Sequence, residues 1–404
     1  MMTDDDHPRI RNLNAIPASQ GNRQLVLLED PLGIAEQTIL IPPQLTPLLM
    51  LCDGTRSIPE IQSAYISMYG LAIDVEEINR WLAIFNEAAL LDNAVFHSKK
   101  RQAVEAYRTA DARPMSFAGE IYPSQVAQLS QTLNAYLEQA GKPTQEANIT
   151  GIICPHIDYE RGKRVYAEVM SQSRQAILDA ELIVVLGTDH FDDGNPLTLT
   201  QQSYQTPLGV KPTAISLTQS MDQKLTGLDV FRGELRHQHE HSIELALVWL
   251  HHMRESSPCP VLPILCGAHP YLFEEGTGRE QAWVQILIDH LGDTLKDQRT
   301  LIVAAADLAH VGAVFGGPGL PPEQRSEIVL EDEKLLQRVK EVDPRAFIDQ
   351  IIRVQDRNNV CGTTPIYLLL RLLAPATGTI VGYELCPADH EGNSWVSICG
   401  AIFS

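Results

Sequence analysis

The stretch "AELIVVLGTDHF", residues 180–191, passes directly from an aliphatic run to ionisable side chains. The run is short and rich in β-branched residues, which favours a strand that is covered on both faces. Asp189 and His190 follow it immediately. Active sites in open α/β sheets collect beyond the carboxyl ends of strands. This stretch therefore predicts both a buried strand and a functional edge of the sheet.

Three other runs have the same character: "ANITGIICP" at 147–155, "CPVLPILCG" at 259–267 and "RTLIVAAAD" at 299–307. Each is followed by a loop or a helix. Their spacing predicts an α/β domain at residues 113–404, with a central mixed or parallel sheet that is flanked by helices on both faces.

The N-terminal part has a different pattern. Residues 1–20 are expected to be disordered, and "RQLVLLED" (23–30) and "QTILIP" (37–42) predict two strands around a glycine-containing turn. Three helices are predicted after them, within residues 45–54, 57–70 and 74–91. We therefore predict a small winged-helix-like domain at residues 20–96, followed by a polar linker helix within residues 97–115.

Composition excludes several classes of function. The chain has 404 residues, of which 44% are hydrophobic, as in ordinary globular proteins. A net charge of −20 argues against nucleic acid and anionic membranes, because nothing would neutralise the phosphates. No signal peptide and no transmembrane-length run is found. Seven scattered cysteines, an odd number, favour reduced thiols and a cytoplasmic location.

Ionisable residues collect at three strand ends and at one helix start. They are His156, Asp158, Tyr159, Asp189, His190, Asp307 and His310, and within "RHQHEHSIELALVWL" (236–250) His237, His239, Glu240, His241 and Glu244. One histidine after a strand is usually a hydrogen-bonding residue, but three such strand ends together indicate a transition-metal site. His241 and Glu244 share a helix face, which suits a ligand or a base with an orienting carboxylate, or else a packing role, since "IELALVWL" continues as a buried helix. His237 and His239 are expected to be solvated.

Cys361 lies in "NNVCGTTPIYLLLRLL", residues 358–373, at the start of a predicted helix. Thr363 and Thr364 are good N-cap residues, and Pro365 suits a first helical turn. The positive end of the helix dipole favours a thiolate at this place. From the residues alone, Cys361 is a nucleophile, a metal ligand or a small core residue.

Six motifs in order resemble the Memo family, whose bacterial and archaeal members are called AmmeMemoRadiSam system protein B. They are "AGEIYP" at 118–123, "PHIDYERG" at 155–162, "LGTDH" at 186–190, "EHSIE" at 240–244, "DLAHVG" at 307–312 and "CGTTPI" at 361–366. The resemblance covers residues 113–404. It implies a fold like that of the class III extradiol dioxygenases.

The resemblance also implies a bound iron or copper ion and redox chemistry, without a settled reaction. Carried over residue by residue, the metal ligands are His156, His190 and Cys361. The neighbouring motifs supply the candidate catalytic residues of the cavity wall: Glu240, His241, Asp307 and His310. This chain departs from many relatives at Phe117, where they have histidine, and at Thr363 and Thr364, where some have basic or aromatic residues.

The segment "LCDGTRSIPEIQSAY", residues 51–65, resembles the PqqD-like peptide-recognition domains. That resemblance implies a peptide bound at the N-terminal domain. The Memo resemblance implies a radical S-adenosylmethionine (SAM) protein and an AMMECR-type protein as partners.

Three hypotheses of function follow. The first is a metal-dependent oxidoreductase of the dioxygenase-like type or a redox metal protein, with Glu240 or Asp307 as an alternative third ligand. The second is a non-enzymatic protein that binds metal or recruits a peptide as a scaffold. The third is a hydrolase with Cys361 as nucleophile and His241 or His310 as base.

Overall fold

The computed structural model describes residues 7–21, 23–35, 37–70, 72–141, 148–191, 194–255, 258–321 and 324–404. Over these residues the chain divides into two compact units, Met1–Ala110 and Asp111–Ser404. The apolar core of the first unit is separate from the cores of the second. Independent folding of the predicted domains, 20–96 and 113–404, stays a prediction.

The first unit is an antiparallel sheet followed by helices. Its strands pair in the order β1-β2-β3, and they are β1 (Asn14–Gln20), β2 (Arg23–Glu29) and β3 (Ile39–Ile41). Its helices are α1 (Thr46–Leu51), α2 (Ile58–Tyr69), α3 (Val75–Glu87) and α4 (Ala94–Thr109). The helix predicted as a linker is α4, and it belongs to this unit.

The expected disorder of residues 1–20 is wrong for β1. Residues 14–20 pair with β2 one by one, from Asn14 opposite Glu29 to Gln20 opposite Arg23. Residues 1–6 lie outside the described residues. The helix predicted within 57–70 is confirmed as α2, with a capping box between Ser57 and Glu60 at its start.

The second unit is built on a central mixed sheet in the order β11-β13-β4-β10-β5-β9-β6, with β12 paired to β13. Its strands are β4 (Gly151–Cys154), β5 (Leu182–Thr188), β6 (Leu197–Leu199), β7 (Tyr204–Thr206), β8 (Gly209–Lys211), β9 (Val261–Cys266), β10 (Thr300–Ala305), β11 (His310–Gly312), β12 (Gly378–Pro387) and β13 (Ser394–Phe403). The strands β7 and β8 form a separate hairpin. The four aliphatic runs of the sequence are the parallel strands β4, β10, β5 and β9, as predicted.

Helices cover both faces of this sheet. They are α5 (Val126–Leu137), α6 (Tyr159–Gln172), α7 (Arg174–Asp179), α8 (Ile215–Lys224), α9 (His241–Arg254), α10 (Ala282–Asp297), α11 (Arg325–Glu341), α12 (Pro344–Arg353) and α13 (Thr363–Leu373). Strand residues alternate between the two cores, since Ile152 packs with α6 and α9 while Ile153 packs with α10 and α13. Among the described residues, no helix combines the length and hydropathy needed to cross a bilayer.

Two glycines allow α9 and α13 to begin close to the sheet. A Cβ at Gly187 would lie 2.5 Å from the side chain of Ile243, and one at Gly362 would lie 2.4 Å from the carbonyl oxygen of Asp307. Both distances are shorter than any real carbon contact. The glycines therefore place the first residues of both helices at the carboxyl ends of β5 and β10.

Candidate metal centre

Three histidines converge at the carboxyl edge of the parallel strands. His156 follows β4, His190 follows β5, and His241 is the first residue of α9. Their candidate ligand atoms all lie within 4.8 Å of one another. Sequence spacing could not predict this meeting, because the three residues belong to separate elements of the fold.

Oxygen acceptors hold the imidazoles in one orientation. The Nδ1 of His156 lies 2.9 Å from the carbonyl oxygen of Ala305, and the Nδ1 of His190 lies 3.0 Å from Oε1 of Glu240. The Nδ1 of His241 lies 3.2 Å from the same carboxylate oxygen. For His156 and His190, an Nδ1 that donates leaves Nε2 as the atom that can bind a metal once it is deprotonated.

Glu240 is the residue that orients the ring of His190 and lies beside the ring of His241. Its side chain is fully buried at the N-cap of α9, where Oε1 accepts a hydrogen bond from the backbone N–H of Ser242 at 3.0 Å. Its Oε2 accepts from the backbone N–H of His190 at 3.0 Å. Burial acts to raise the pKa of this carboxyl, but His190 and His241 outweigh it and lower the pKa well below its usual range. The contacts of Glu240 are those of an orienting carboxylate, although the sequence placed it among the catalytic residues.

Cys361 lies beside the histidines, just before α13. Its Sγ is 3.2 Å from Nε2 of His156, and His190 and His310 lie within hydrogen-bonding reach of the same sulfur. Burial acts to raise the pKa of this thiol, but His310 and His156 outweigh it and lower the pKa well below its usual range. The three ligands expected from the resemblance, His156, His190 and Cys361, are thus brought together, and His241 joins them.

Asp307, which follows β10, and His310, the first residue of β11, lie beside the cluster. Oδ1 of Asp307 accepts the backbone N–H of His156 at 2.8 Å, and its Oδ2 lies 3.7 Å from the Nε2 of that ring. Burial raises the pKa of Asp307. Burial acts to lower the pKa of His310, but Cys361 outweighs it and raises the pKa. Both residues therefore lie next to the proposed ligands, and their catalytic role stays a prediction.

Other ionisable residues of the sequence pattern lie outside the cluster. Asp189 is buried against the guanidinium of Arg236, whose Nε donates to it at 2.8 Å. Asp158 caps α6 by accepting the backbone N–H of Arg161. His237 was expected to be solvated, which is wrong, because it is fully buried and lies 2.6 Å from the hydroxyl of Tyr204.

Glu244 does not orient His241, although the two share a helix face. It forms a buried ion pair with Arg113 and accepts the hydroxyl of Tyr122 at 2.5 Å. The guanidinium of Arg113 also donates to the carbonyl oxygen of Glu240 at 3.1 Å, and so it fixes the segment that leads into α9. Arg113 could not be recognised from the sequence pattern, because its partner Glu244 lies 131 residues away in the chain.

Replacement of Glu240 by glutamine is expected to weaken metal binding about 10–100-fold, as loss of a residue that orients metal ligands commonly does. The amide carries no charge and offers one acceptor oxygen in place of two. Glu244→Gln is the matched control on the same helix. It should lower the thermal midpoint of unfolding by leaving the charge of Arg113 unpaired, and it should leave metal affinity nearly unchanged. Competition titration against a chromogenic chelator measures both affinities, and equal affinities would contradict the orienting role.

Known proteins resemble this chain over most of its length. The family described as Memo-like protein matches residues 113–401. A MEMO1 family protein of Aquifex aeolicus is 27% identical over 403 residues, which cover 98% of this chain and 99% of that protein. A MEMO1 family protein of Methanosarcina mazei is 27% identical over 277 residues, covering 68% of this chain and 91% of that protein. A third, from Thermus thermophilus, is 25% identical over 331 residues and covers 82% and 94%. Because the family match includes every residue of the histidine cluster and Cys361, the six motifs are those of a true relative, and the chain belongs to the Memo-like protein family.

Proposed function

We propose that the second unit binds one iron or copper ion and that the protein uses it in redox chemistry. His156 and His190 are the nitrogen ligands, Cys361 is the thiolate ligand, and His241 stands beside them as a further donor. The observation that carries this proposal is the set of three imidazoles whose candidate ligand atoms lie within 4.8 Å of one another, with oxygen acceptors at the Nδ1 atoms of His156 and His190.

The donor set suits the proposed ions. Imidazole nitrogens suit copper and iron, and a thiolate adds a soft donor that disfavours magnesium or calcium. Two histidines and one cysteine leave coordination positions open for oxygen or a substrate. An ion at this place would supply one-electron redox chemistry. Asp307 and His310 would then hold or move protons at the edge of the cluster.

Elemental analysis tests this proposal most directly. Protein purified without oxygen and without chelators is expected to carry close to one equivalent of iron or copper. Oxygen consumption with a catechol then distinguishes an oxidoreductase of the dioxygenase-like type from a protein that only binds the metal. Metal-free protein that fails to take up either ion under anaerobic reconstitution would refute the proposal.

Metal affinity is expected to rise with pH between about pH 6 and pH 9. Burial acts to lower the pKa of His156, but Asp307 and Cys361 outweigh it and raise the pKa to about 9. The pKa of His190 is also raised, well above its usual range, mainly by Glu240 against the effect of burial. Both raised pKa values favour the protonated rings in the metal-free protein. Each must release its proton to bind the ion, which strengthens affinity about tenfold per pH unit for each proton. Chelator competition over this range measures the slope, and a flat profile would contradict the prediction.

A cysteine hydrolase is the second candidate function. It is favoured by the contact of 3.2 Å between Cys361 Sγ and the Nε2 of His156, together with the lowered pKa of that thiol. His310 would be the base in this case. The hydrolase needs no iron or copper. Measurements of metal content and of the reactivity of Cys361 therefore distinguish the two candidate functions.

The first unit is proposed to recruit a peptide, in the manner of the PqqD-like domains that its sequence resembles. Its three strands form a sheet with β1 and β3 as outer strands, and such strands accept an added peptide strand. A radical SAM protein and an AMMECR-type protein are the proposed partners, in the cytoplasm. Titration calorimetry of the full chain with each purified partner tests this, and absence of heat with both would refute it.

A further inference from the structure

A chain of aromatic rings crosses the core of the second unit, and it begins at Tyr159, three residues beyond His156 in the sequence. Tyr159 and Trp249 are buried, and their ring centroids lie 5.8 Å apart. The ring of Tyr136, on α5, lies 6.5 Å from that of Trp249 and is partly exposed. We call Tyr159, Trp249 and Tyr136 the aromatic chain.

The inner end of the aromatic chain lies next to the proposed metal centre. Tyr159 is three residues beyond His156, and its hydroxyl donates to the carbonyl oxygen of Leu245 at 2.6 Å. Leu245 is one turn beyond His241 on α9, which is a rise of about 6 Å along the helix axis. The same helix carries Trp249, one further turn along.

At the outer end of the aromatic chain, a carboxylate can accept a proton. The hydroxyl of Tyr136 donates to Oε2 of Glu160 at 3.0 Å, and both groups reach solvent. Oxidation of a tyrosine to its radical releases the phenolic proton, so that a carboxylate acceptor favours this step. The hydroxyl of Tyr159 donates to a backbone carbonyl oxygen, which cannot take up the proton. Tyr159 is therefore expected to retain its phenolic proton.

We propose that the aromatic chain conducts electrons one at a time from the protein surface to the metal centre and so protects the ligands from oxidation. Packing alone would account for the buried rings, but not for a tyrosine–carboxylate pair where the chain meets solvent. This proposal depends on the proposed function, because the oxidising equivalents arise at the bound ion. Their source is hydrogen peroxide that reacts at the bound ion.

The electrons and protons balance as follows. Reduction of one hydrogen peroxide to two waters takes two electrons and two protons. Each electron leaves Trp249 through the ring of Tyr159, and Tyr136 then re-reduces Trp249 while its proton passes to Glu160 and on to solvent. A thiol from solution returns a hydrogen atom to Tyr136. Two thiols are converted to one disulfide for each peroxide that is consumed.

The first test needs no metal. Cys361 is the partly exposed cysteine of the seven, and the other six are buried, so that a thiol-reactive ruthenium photo-oxidant can be attached to it in the metal-free full chain. Flash oxidation is expected to give a tryptophan radical followed by a tyrosyl radical in transient absorption. Trp249→Phe should lose both signals. Trp283→Phe, in the core on the opposite face of the sheet, is the matched control and should keep them.

Equal radical yields in the wild type and Trp249→Phe would overturn the proposal. Tyr136→Phe provides a variant that leaves the centre of the core intact, and it should lose the tyrosyl signal while the tryptophan radical lives longer. A tyrosyl signal that survives in Tyr136→Phe would likewise overturn the assignment of the outer end.

The second test uses metal-loaded protein and hydrogen peroxide, followed by mass spectrometry of peptides. Oxidation is expected at Tyr136 in the wild type, and at Cys361 and the cluster histidines in Trp249→Phe. Ligand oxidation of equal extent in both proteins would refute the protective role. If no metal binds, the proposed function fails, whereas the flash experiment still decides whether the aromatic chain conducts.

Discussion

Replacement of His156 or His190 by alanine is expected to abolish stoichiometric iron or copper binding while the protein stays folded. Each change would remove one of the few bonds that the protein is proposed to make to the ion. Loss of an orienting residue behind a ligand already costs about 10–100-fold in affinity, and loss of the ligand itself should cost more. Both residues lie in loops beyond strand ends, where truncation disturbs the sheet less than in its core.

His252→Ala is the matched control for this experiment. His252 lies on α9, the helix that begins with His241, and it faces Asn134 at 3.0 Å, away from the cluster. Metal content of the purified variants and their circular dichroism spectra are the measurements. Full metal content in both His156→Ala and His190→Ala would show that the metal binds elsewhere in the chain.

Cys361 is expected to be alkylated rapidly in the metal-free protein and to be protected once metal is bound. The pKa of its thiol is well below the usual range, because His310 and His156 outweigh the opposing effect of burial. A thiolate should therefore be present below the pKa of about 8.5 that a free cysteine has. Coordination would occupy the sulfur and slow its reaction with iodoacetamide. Mass spectrometry of the peptide that contains Cys361 gives the rate in each state.

The same experiment separates the two candidate functions. Equal alkylation rates with and without metal would remove Cys361 from the set of ligands and would favour the hydrolase. Cys361→Ser is expected to weaken iron or copper binding, since a hydroxyl is a poorer soft ligand than a thiolate. Cys259→Ser is the control, because this thiol is buried beside Ala180, away from the cluster. It should leave metal affinity unchanged.

Local patterns in the sequence determined most of the secondary structure and the class of fold. Aliphatic runs predicted the parallel strands, and the capping box at Ser57 and Glu60 predicted the start of α2. Both signals depend only on neighbouring residues, which is why they can be read without the fold. The strand β1, "NAIPASQ" at 14–20, was missed, because it contains a proline and a single β-branched residue, and its stability comes from pairing with β2.

The sequence by itself also identified the candidate site residues, since the motifs contain His156, His190, Cys361 and their neighbours. Only the tertiary structure decided how they act together. Helical periodicity pairs His241 with Glu244, yet Glu244 neutralises Arg113 from a distant part of the chain, and the carboxylate beside the ring of His241 is that of Glu240. A buried carboxylate pairs with the hydrogen-bond donor that lies nearest to it in the folded protein. That donor is determined by packing across the sheet, which spacing along one helix does not encode.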